Sequence, residues 1–223
     1  MHIVIVAVTQ PLGGFLVSVP TQTEPVAKRP LHAWSLPNQL TYFRILAIPL
    51  LVECFLAEGT AWHWIGFALF MMAAISDFFD GYLARLYQQH SSIGEILDPI
   101  ADKVLVVVVL LLLYETGAIN NYWSLRAAMI IAAREIIVSG LREHLAKAQV
   151  PLKVTRLAKV KTVAQMVAIG FLLIGSEADR LLDLSLSVLQ VGHWLLWLAA
   201  AITVYTGGVY GLAVMRYLKE TSE

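Results

Sequence analysis

Apolar residues in this chain are gathered into long runs separated by short polar segments. Six runs approach the roughly 20 mostly apolar residues that a membrane-spanning helix needs. The connections between them are brief, for example AEGT, ETGAINN and GSEADRLLDLS. We therefore predict an all-α integral membrane protein, a bundle of six transmembrane helices. The predicted spans are approximately Asn38–Leu56, Trp62–Leu83, Pro99–Tyr114, Ser124–Leu145, Lys161–Ile174 and Val191–Met215.

Composition supports a membrane protein. Hydrophobic residues make up 58% of the 223 positions and charged residues only 14%, whereas soluble domains carry about 25% charged residues. The formal net charge is zero, so nothing in the total points to nucleic acid. Cys54 is the only cysteine, which rules out an internal disulfide and a metal site built on cysteines.

Basic residues are distributed unevenly between the two predicted sides of the membrane. An even number of spans puts both termini on one side, and that side carries most of the lysines and arginines, which predicts cytoplasmic N- and C-termini. The opposite side has little beyond Arg126 and Arg180. The basic side carries Lys28, Arg29, Arg85, Lys103, Arg142, Lys147, Lys153, Arg156, Lys159, Lys161, Arg216 and Lys219.

The first thirty residues differ from the rest of the chain. Their apolar stretch is interrupted by Pro11, Gly13 and Gly14 and has no basic segment before it, so it fits a signal peptide poorly. We interpret residues 1–30 as an N-terminal extension of unknown role and residues 31–223 as the six-helix membrane domain.

Four aspartates occur at the cytoplasmic ends of the second and third predicted spans. Asp77 and Asp80 are three residues apart and Asp98 and Asp102 are four apart, so each pair shares one face of its helix. If the two spans run in opposite directions, the two pairs face each other across a short connection. We expect that connection to be bounded by Gly81 and Gly94, with Pro99 in the first turn of the next helix.

Four carboxylates that converge in a low-dielectric setting cannot all stay ionised unaided. Divalent cations relieve the repulsion, and oxygen ligands suit Mg²⁺ or Mn²⁺. The alternative is that the aspartates are interfacial charges, solvated or paired with Arg85 and Lys103. Ionisable residues at membrane depth are usually functional, which favours the metal site.

The spacing of these residues resembles that of a known family. The pattern D-x2-D-G-x2-A-R-x8-G-x3-D-x3-D runs from Asp77 to Asp102 and is similar to the signature of the CDP-alcohol phosphotransferases, which are six-span membrane enzymes that work as homodimers. The resemblance extends from about Leu36 to Lys219. It implies displacement of CMP from a CDP-linked substrate by attack of an alcohol on the β-phosphorus.

The resemblance also implies roles for individual residues. Asp77, Asp80 and Asp98 would hold two divalent cations on the diphosphate, and Asp102 would complete the metal site and act as the base. In the first span, NQLTYFR places Asn38, Thr41 and Arg44 on one face; a helix cap with a snorkelling arginine is the alternative. The CDP contacts implied by the resemblance are Asn38, Thr41, Arg44, Gly81, Ala84 and Arg85.

Further basic residues point to a second, anionic substrate. Arg134 interrupts an apolar run, and Arg142 lies eight residues on, about 80° around the same helix. Lys159 and Lys161 open the fifth span. The alternative for these two is that they are ordinary basic residues on the cytoplasmic side of the membrane. An arginine in such a run requires a partner or a polar cavity, and Glu135 is a candidate partner. An acceptor that already bears a phosphate would fit this group.

The stretches NQLTYFRILAIPLL, AAREIIVSGLREHLA and LAKVKTVAQMVAI resemble the bacterial branch of the family that uses glycerol 3-phosphate. This implies transfer of the phosphatidyl group of CDP-diacylglycerol to glycerol 3-phosphate, in the bacterial cytoplasmic membrane, at a site facing the cytoplasm. Serine and inositol phosphate are the competing acceptors. Two other classes remain as alternatives, an intramembrane prenyltransferase and a divalent-cation transporter, although acids at the cytoplasmic edge and unmatched halves disfavour the transporter.

Overall fold

The computed structural model describes residues 36–87, 92–147, 156–182 and 186–222. Within these ranges every regular element is an α-helix, as the apolar runs predict. The helices are α1 (Leu36–Leu56), α2 (Thr60–Tyr87), α3 (Ser92–Glu115), α4 (Tyr122–Lys147), α5 (Arg156–Leu182) and α6 (Val188–Ser222).

The helices have the lengths and surfaces of a membrane protein. Among the described residues, three segments are long and apolar enough to cross a membrane, and Thr60–Ser76 is a shorter apolar stretch. Large apolar side chains such as Leu46 and Trp194 are exposed on the outside, as expected for a surface that contacts lipid. The three long segments are Asn38–Leu56, Val160–Leu181 and Val188–Met215.

The hydrophobic core lies along the axis of the bundle and receives side chains from every helix. These side chains belong to one continuous cluster of buried apolar residues. Since each helix buries one stripe against its neighbours, the polar residues at the helix ends are positioned by the packing between those stripes. Fully buried members, one from each helix in order, are Leu51, Phe70, Leu113, Ile131, Ile169 and Leu196.

The structure corrects the predicted boundaries around the aspartates. Helix α2 continues through Gly81 to Tyr87, because a single glycine costs a helix only about 1 kcal/mol. Helix α3 includes Gly94, so neither glycine bounds the connection. Pro99 lies inside α3 rather than in its first turn, where it removes one intrahelical hydrogen bond. The predictions for Gly81, Gly94 and Pro99 were therefore wrong.

Helix α5 is longer than the span Lys161–Ile174 predicted for it, because its acidic residues are used in packing. Most of the segment interpreted as the polar connection GSEADRLLDLS is the end of this helix. Asp179 accepts hydrogen bonds from the Ser187 hydroxyl at 2.6 Å and from the backbone N–H of Val188 at 2.5 Å. It therefore caps the start of α6 from a neighbouring helix.

Contacts at one end of the bundle join the first residues of α2, α4 and α6 to other helices. The Thr60 hydroxyl of α2 donates a hydrogen bond to Glu177 of α5 at 2.9 Å. Ser124 of α4 and His193 of α6 are hydrogen-bonded, with 2.8 Å between Oγ and Nδ1. We call this end, where α2, α4 and α6 begin, the distal end.

The opposite end is the one at which α1, α3 and α5 begin, and we call it the proximal end. Here Thr41 of α1 contacts Asp98 of α3, and Lys161 of α5 contacts Glu135 in the second half of α4. Since α5 reaches the distal end at Glu177, its start lies at the same end as the starts of α1 and α3. The aspartates and the buried basic residues are thus at one end of the molecule.

Candidate active site

Helix α1 approaches the aspartates of α3 through two side-chain contacts. The Thr41 hydroxyl donates a hydrogen bond to Asp98, and the Arg44 guanidinium forms an ion pair with Asp102. The two α1 residues are three apart and the two aspartates four apart, so two facing helices present matching rows. Thr41 and Arg44 are fully buried, and Asn38 is buried on the same face.

Of the four aspartates predicted to bind metal, Asp98 and Asp102 have described side chains, and both offer oxygen ligands that suit a hard cation. Asp98 and Asp102 lie one turn apart on α3, and carboxylate oxygens are the ligands that Mg²⁺ and Mn²⁺ prefer. Among the described residues no group of three histidine, cysteine, aspartate or glutamate side chains forms a metal site. Asp77 and Asp80 lie in the last turns of α2, but their side chains are outside the described part of the structure. The same holds for the side chains of Ala84 and Arg85.

A second group of charged residues lies between α4, α5 and α6. Glu135 accepts a hydrogen bond from Lys161 and another from Arg134, at 3.5 Å from its Nη1. Arg134 also donates through Nη2 to the Thr206 hydroxyl at 3.2 Å. A Cβ at Gly207 would lie 3.3 Å from Cγ of Arg134, so this glycine leaves room for the arginine to lie against α6. Glu135, the candidate partner for a buried arginine of this run, contacts Arg134. It also accepts a hydrogen bond from Lys161, which the sequence did not indicate.

The four basic residues predicted to bind an acceptor phosphate have different positions. The side chains of Arg134 and Lys161 are 13% and 5% exposed. Arg142 is exposed at the surface, about two turns after Glu135 on α4. The side chain of Lys159 is outside the described residues. The structure therefore brings three of the four together: Arg134 and Lys161 in the interior, with Arg142 at the rim.

Sequence reasoning missed several polar residues on the inner faces of α5 and α6. Gln165, Thr203 and Tyr210 are buried, and within the described part of the chain their side-chain oxygens have no hydrogen-bond partner. Thr206 was missed as well. Threonine and tyrosine are unremarkable in a membrane helix, so the only signal was the glycine pair in VYTGGVYG, which marks a close approach to α6.

Comparison with known proteins identifies the kind of enzyme to which these features belong. The sequence profile described as CDP-alcohol phosphatidyltransferase matches residues 34–205. A protein of Rickettsia felis is 41% identical over 183 residues, covering 82% of this chain and 97% of the relative. A protein of Cereibacter sphaeroides is 39% identical over 218 residues, covering 84% and 98%.

A protein of Escherichia coli K12 is 41% identical over 145 residues, covering 63% of this chain and 77% of the relative. All three relatives carry the name CDP-diacylglycerol–glycerol-3-phosphate 3-phosphatidyltransferase. The matched region contains the aspartates, their α1 partners and the buried basic residues. On this match, the chain belongs to the CDP-alcohol phosphatidyltransferase family.

Proposed function

We propose that this protein transfers the phosphatidyl group of CDP-diacylglycerol to the primary hydroxyl of glycerol 3-phosphate, releasing CMP and forming phosphatidylglycerophosphate. The observation that carries the proposal is that the aspartates paired to α1 and the buried basic residues of α4 and α5 lie at the same, proximal end of the bundle. The aspartates suit a diphosphate with its metals, and the basic residues suit an acceptor that bears a phosphate. The names of the relatives in three bacteria support the same reaction.

The family generally uses divalent cations, and we assign them here to Asp77, Asp80, Asp98 and Asp102. Two cations, Mg²⁺ or Mn²⁺, would neutralise the diphosphate of CDP-diacylglycerol and polarise its β-phosphoryl group. Thr41 and Arg44 orient the two α3 carboxylates from α1 and restrict their rotamers. Positioning and charge neutralisation are the main sources of rate in phosphoryl-type transfer.

Asp102 is the proposed base. It takes the proton of the primary hydroxyl of glycerol 3-phosphate, and the hydroxyl oxygen forms a bond to the β-phosphorus. The bond between that phosphorus and the bridging oxygen breaks, and the electron pair leaves with CMP. The Asp102 side chain is 38% exposed, so an incoming substrate can reach it while Arg44 holds it from the buried side.

The nucleotide site is proposed to be formed by residues on both sides of the aspartates. Asn38, Thr41 and Arg44 come from α1, and their burial means that they act by shaping the site from behind the carboxylates. From α2, Gly81 and Ala84 are small enough to let a nucleotide approach the helix closely. Arg85 has the planar fork of donors that suits a phosphate.

The acceptor phosphate is proposed to bind the basic residues of α4 and α5. Arg134 and Lys161 lie in the interior, and Arg142 stands where a soluble substrate would enter. Lys159 is assigned to the same pocket from its place in the first turn of α5, at the proximal end. Charge-assisted hydrogen bonds from these residues would distinguish glycerol 3-phosphate from acceptors without a phosphate, such as serine.

The topology proposed for the membrane follows from the distribution of basic residues. Six spans place both termini and the proximal end on the cytoplasmic side of the bacterial inner membrane, where CDP-diacylglycerol and glycerol 3-phosphate meet. We assign the membrane domain to residues 31–223 and leave residues 1–30 as an extension; the family match at residues 34–205 supports this division. A homodimer is proposed from the family resemblance.

The reaction is tested with the purified protein in detergent, with CDP-diacylglycerol, Mg²⁺ and one acceptor at a time. We expect CMP release with glycerol 3-phosphate and none with serine or inositol phosphate. A chelator should abolish release, and added Mg²⁺ or Mn²⁺ should restore it, because the carboxylates cannot neutralise the diphosphate themselves. Turnover with serine, which has no phosphate, would overturn the pocket assignment, and turnover with inositol phosphate would overturn glycerol 3-phosphate as the acceptor. Folded protein that releases no CMP with any acceptor would favour ion transport instead.

Replacement of Arg142 tests the acceptor pocket separately. We expect Arg142→Ala to raise the KM for glycerol 3-phosphate about tenfold or more, as expected for one lost hydrogen bond to a charged group. The KM for CDP-diacylglycerol should change little. Steady-state kinetics with each substrate varied in turn measures both values.

Arg126→Ala is the matched control for this substitution. Arg126 is also an exposed arginine of α4, but it lies at the distal end and packs over the Trp123 ring at 5.3 Å. An equal rise in KM in both variants would mean that the charge of Arg142 acts only through the general surface potential, which would count against a phosphate contact.

A further inference from the structure

The acceptor pocket already contains an anion, and that anion belongs to the protein. Lys161 Nζ and Arg134 Nη1 both donate to the same oxygen of Glu135, Oε1. The side chains of all three residues are largely buried, Glu135 being 15% exposed. One carboxylate oxygen therefore lies where the two interior cations converge, which is the position that a phosphate oxygen of the acceptor would need.

The side chains of Arg134 and Lys161 differ in the contacts that would remain without Glu135. Arg134 has a second contact on α6, the Thr206 hydroxyl at 3.2 Å, and the missing side chain of Gly207 leaves space for it. Among the described residues, Glu135 is the hydrogen-bond partner of Lys161, and Arg134, which donates to the same oxygen, brings a second positive charge close to the ammonium group. Two like charges this deeply buried require a counter-charge when no substrate is present.

We propose that Glu135 is a displaceable occupant of the acceptor phosphate position and thereby a specificity-determining residue. This rests on the proposed function. In the free protein the Glu135 carboxylate keeps Arg134 and Lys161 together and charged. When glycerol 3-phosphate enters, its phosphate takes over both cations and the flexible Glu135 side chain turns away.

Displacement selects for the charge of the incoming group. A phosphate monoester carries about −1.5 to −2 charges and three acceptor oxygens at neutral pH. It therefore interacts more strongly with Arg134 and Lys161 than the singly charged carboxylate that it replaces. A neutral polyol brings no charge, and a zwitterion such as serine brings a carboxylate no stronger than that of Glu135. Neither gains by displacing it. The contact of Glu135 with Arg134 and Lys161 therefore lowers the affinity for every acceptor that must displace it. The loss of affinity is smallest for an acceptor that bears a phosphate.

Competition of this kind has a measurable signature. Because part of the binding free energy is used to displace Glu135, weakening its contact should lower the KM for glycerol 3-phosphate about fivefold or more. Inorganic phosphate, which fits the same position but cannot react, should become a correspondingly stronger inhibitor. A residue that merely orients Lys161 would give the reverse result, a raised KM and weaker inhibition by phosphate.

The experiment compares the wild-type protein with Glu135→Gln and Glu135→Asp. The glutamine removes the charge and keeps the shape, whereas the aspartate keeps the charge and withdraws it by one methylene, so it serves if the glutamine variant does not fold. CMP release is measured with glycerol 3-phosphate varied, with glycerol as a neutral acceptor, and with inorganic phosphate as inhibitor. Glu115→Gln, an exposed glutamate at the distal end of α3, is the control and should match the wild type.

A lower KM for glycerol 3-phosphate, stronger inhibition by phosphate and a nearly unchanged kcat in either folded variant would support the inference. An unchanged or raised KM in every variant that folds would overturn it, while the wild-type activity leaves the proposed function intact. Wild-type protein that releases no CMP with glycerol 3-phosphate would overturn both.

Discussion

Asp102→Asn is expected to lower the rate of CMP release by about 100-fold to 10,000-fold, the range that a positioned general base contributes. Asparagine has nearly the same shape as aspartate and can still accept a hydrogen bond from Arg44 through its amide oxygen. It cannot take the proton of the attacking hydroxyl, and it is a poorer ligand for a hard cation. The measurement is kcat with both substrates saturating, in protein whose thermal stability has been compared with that of the wild type.

The matched control is Glu115→Gln, which removes a carboxylate from the same helix at the opposite end of the bundle. It should leave kcat within the error of the assay. Retention of more than a tenth of the wild-type kcat in Asp102→Asn would rule out Asp102 as the base. The remaining candidate in the described structure would then be Asp98, one turn earlier on α3.

The sequence was sufficient to predict the helical class and the shared face of Asp98 and Asp102, because both depend on local patterns. Apolar runs predict helices directly, and the spacing of Asp98 and Asp102 places them on one face whatever the surrounding fold. The helix ends were less predictable. Charges in the segment after Ile174 suggested a connection, but Glu177 is partnered by Thr60, a residue 117 positions away that no local pattern reveals.

The contacts between helices could not be predicted for a similar reason. Lys161 follows other basic residues at the start of α5, and sequence alone could not say whether it faces the interior. The packing of both α4 and α5 against α6 decides this: Lys161 is buried and contacts Glu135. In the same way, the pairing of Arg44 with Asp102 rather than Asp98 depends on how far α1 is shifted along α3.

Arg44→Met should cost about 3 kcal/mol of stability and most of the activity. Arg44 is fully buried while Asp102 is 38% exposed, so the loss falls at the lower end of the range for breaking a buried ion pair. Methionine fills most of the volume but removes the guanidinium group that pairs with the Asp102 carboxylate. The measurements are thermal unfolding in detergent and kcat with both substrates saturating.

A double-mutant cycle distinguishes this account from a purely nucleotide-binding role for Arg44. If Arg44 acts through Asp102, the loss of stability in Arg44→Met combined with Asp102→Asn should be smaller than the sum of the single losses, by about 0.5–3 kcal/mol, as expected for residues in direct contact. Additive losses, together with a raised KM for CDP-diacylglycerol and a normal kcat in Arg44→Met, would assign Arg44 to the nucleotide instead. Because Arg44 has no exposed surface, direct contact with a nucleotide would require α1 to move away from α3, and a coupled loss of stability is therefore the expected result.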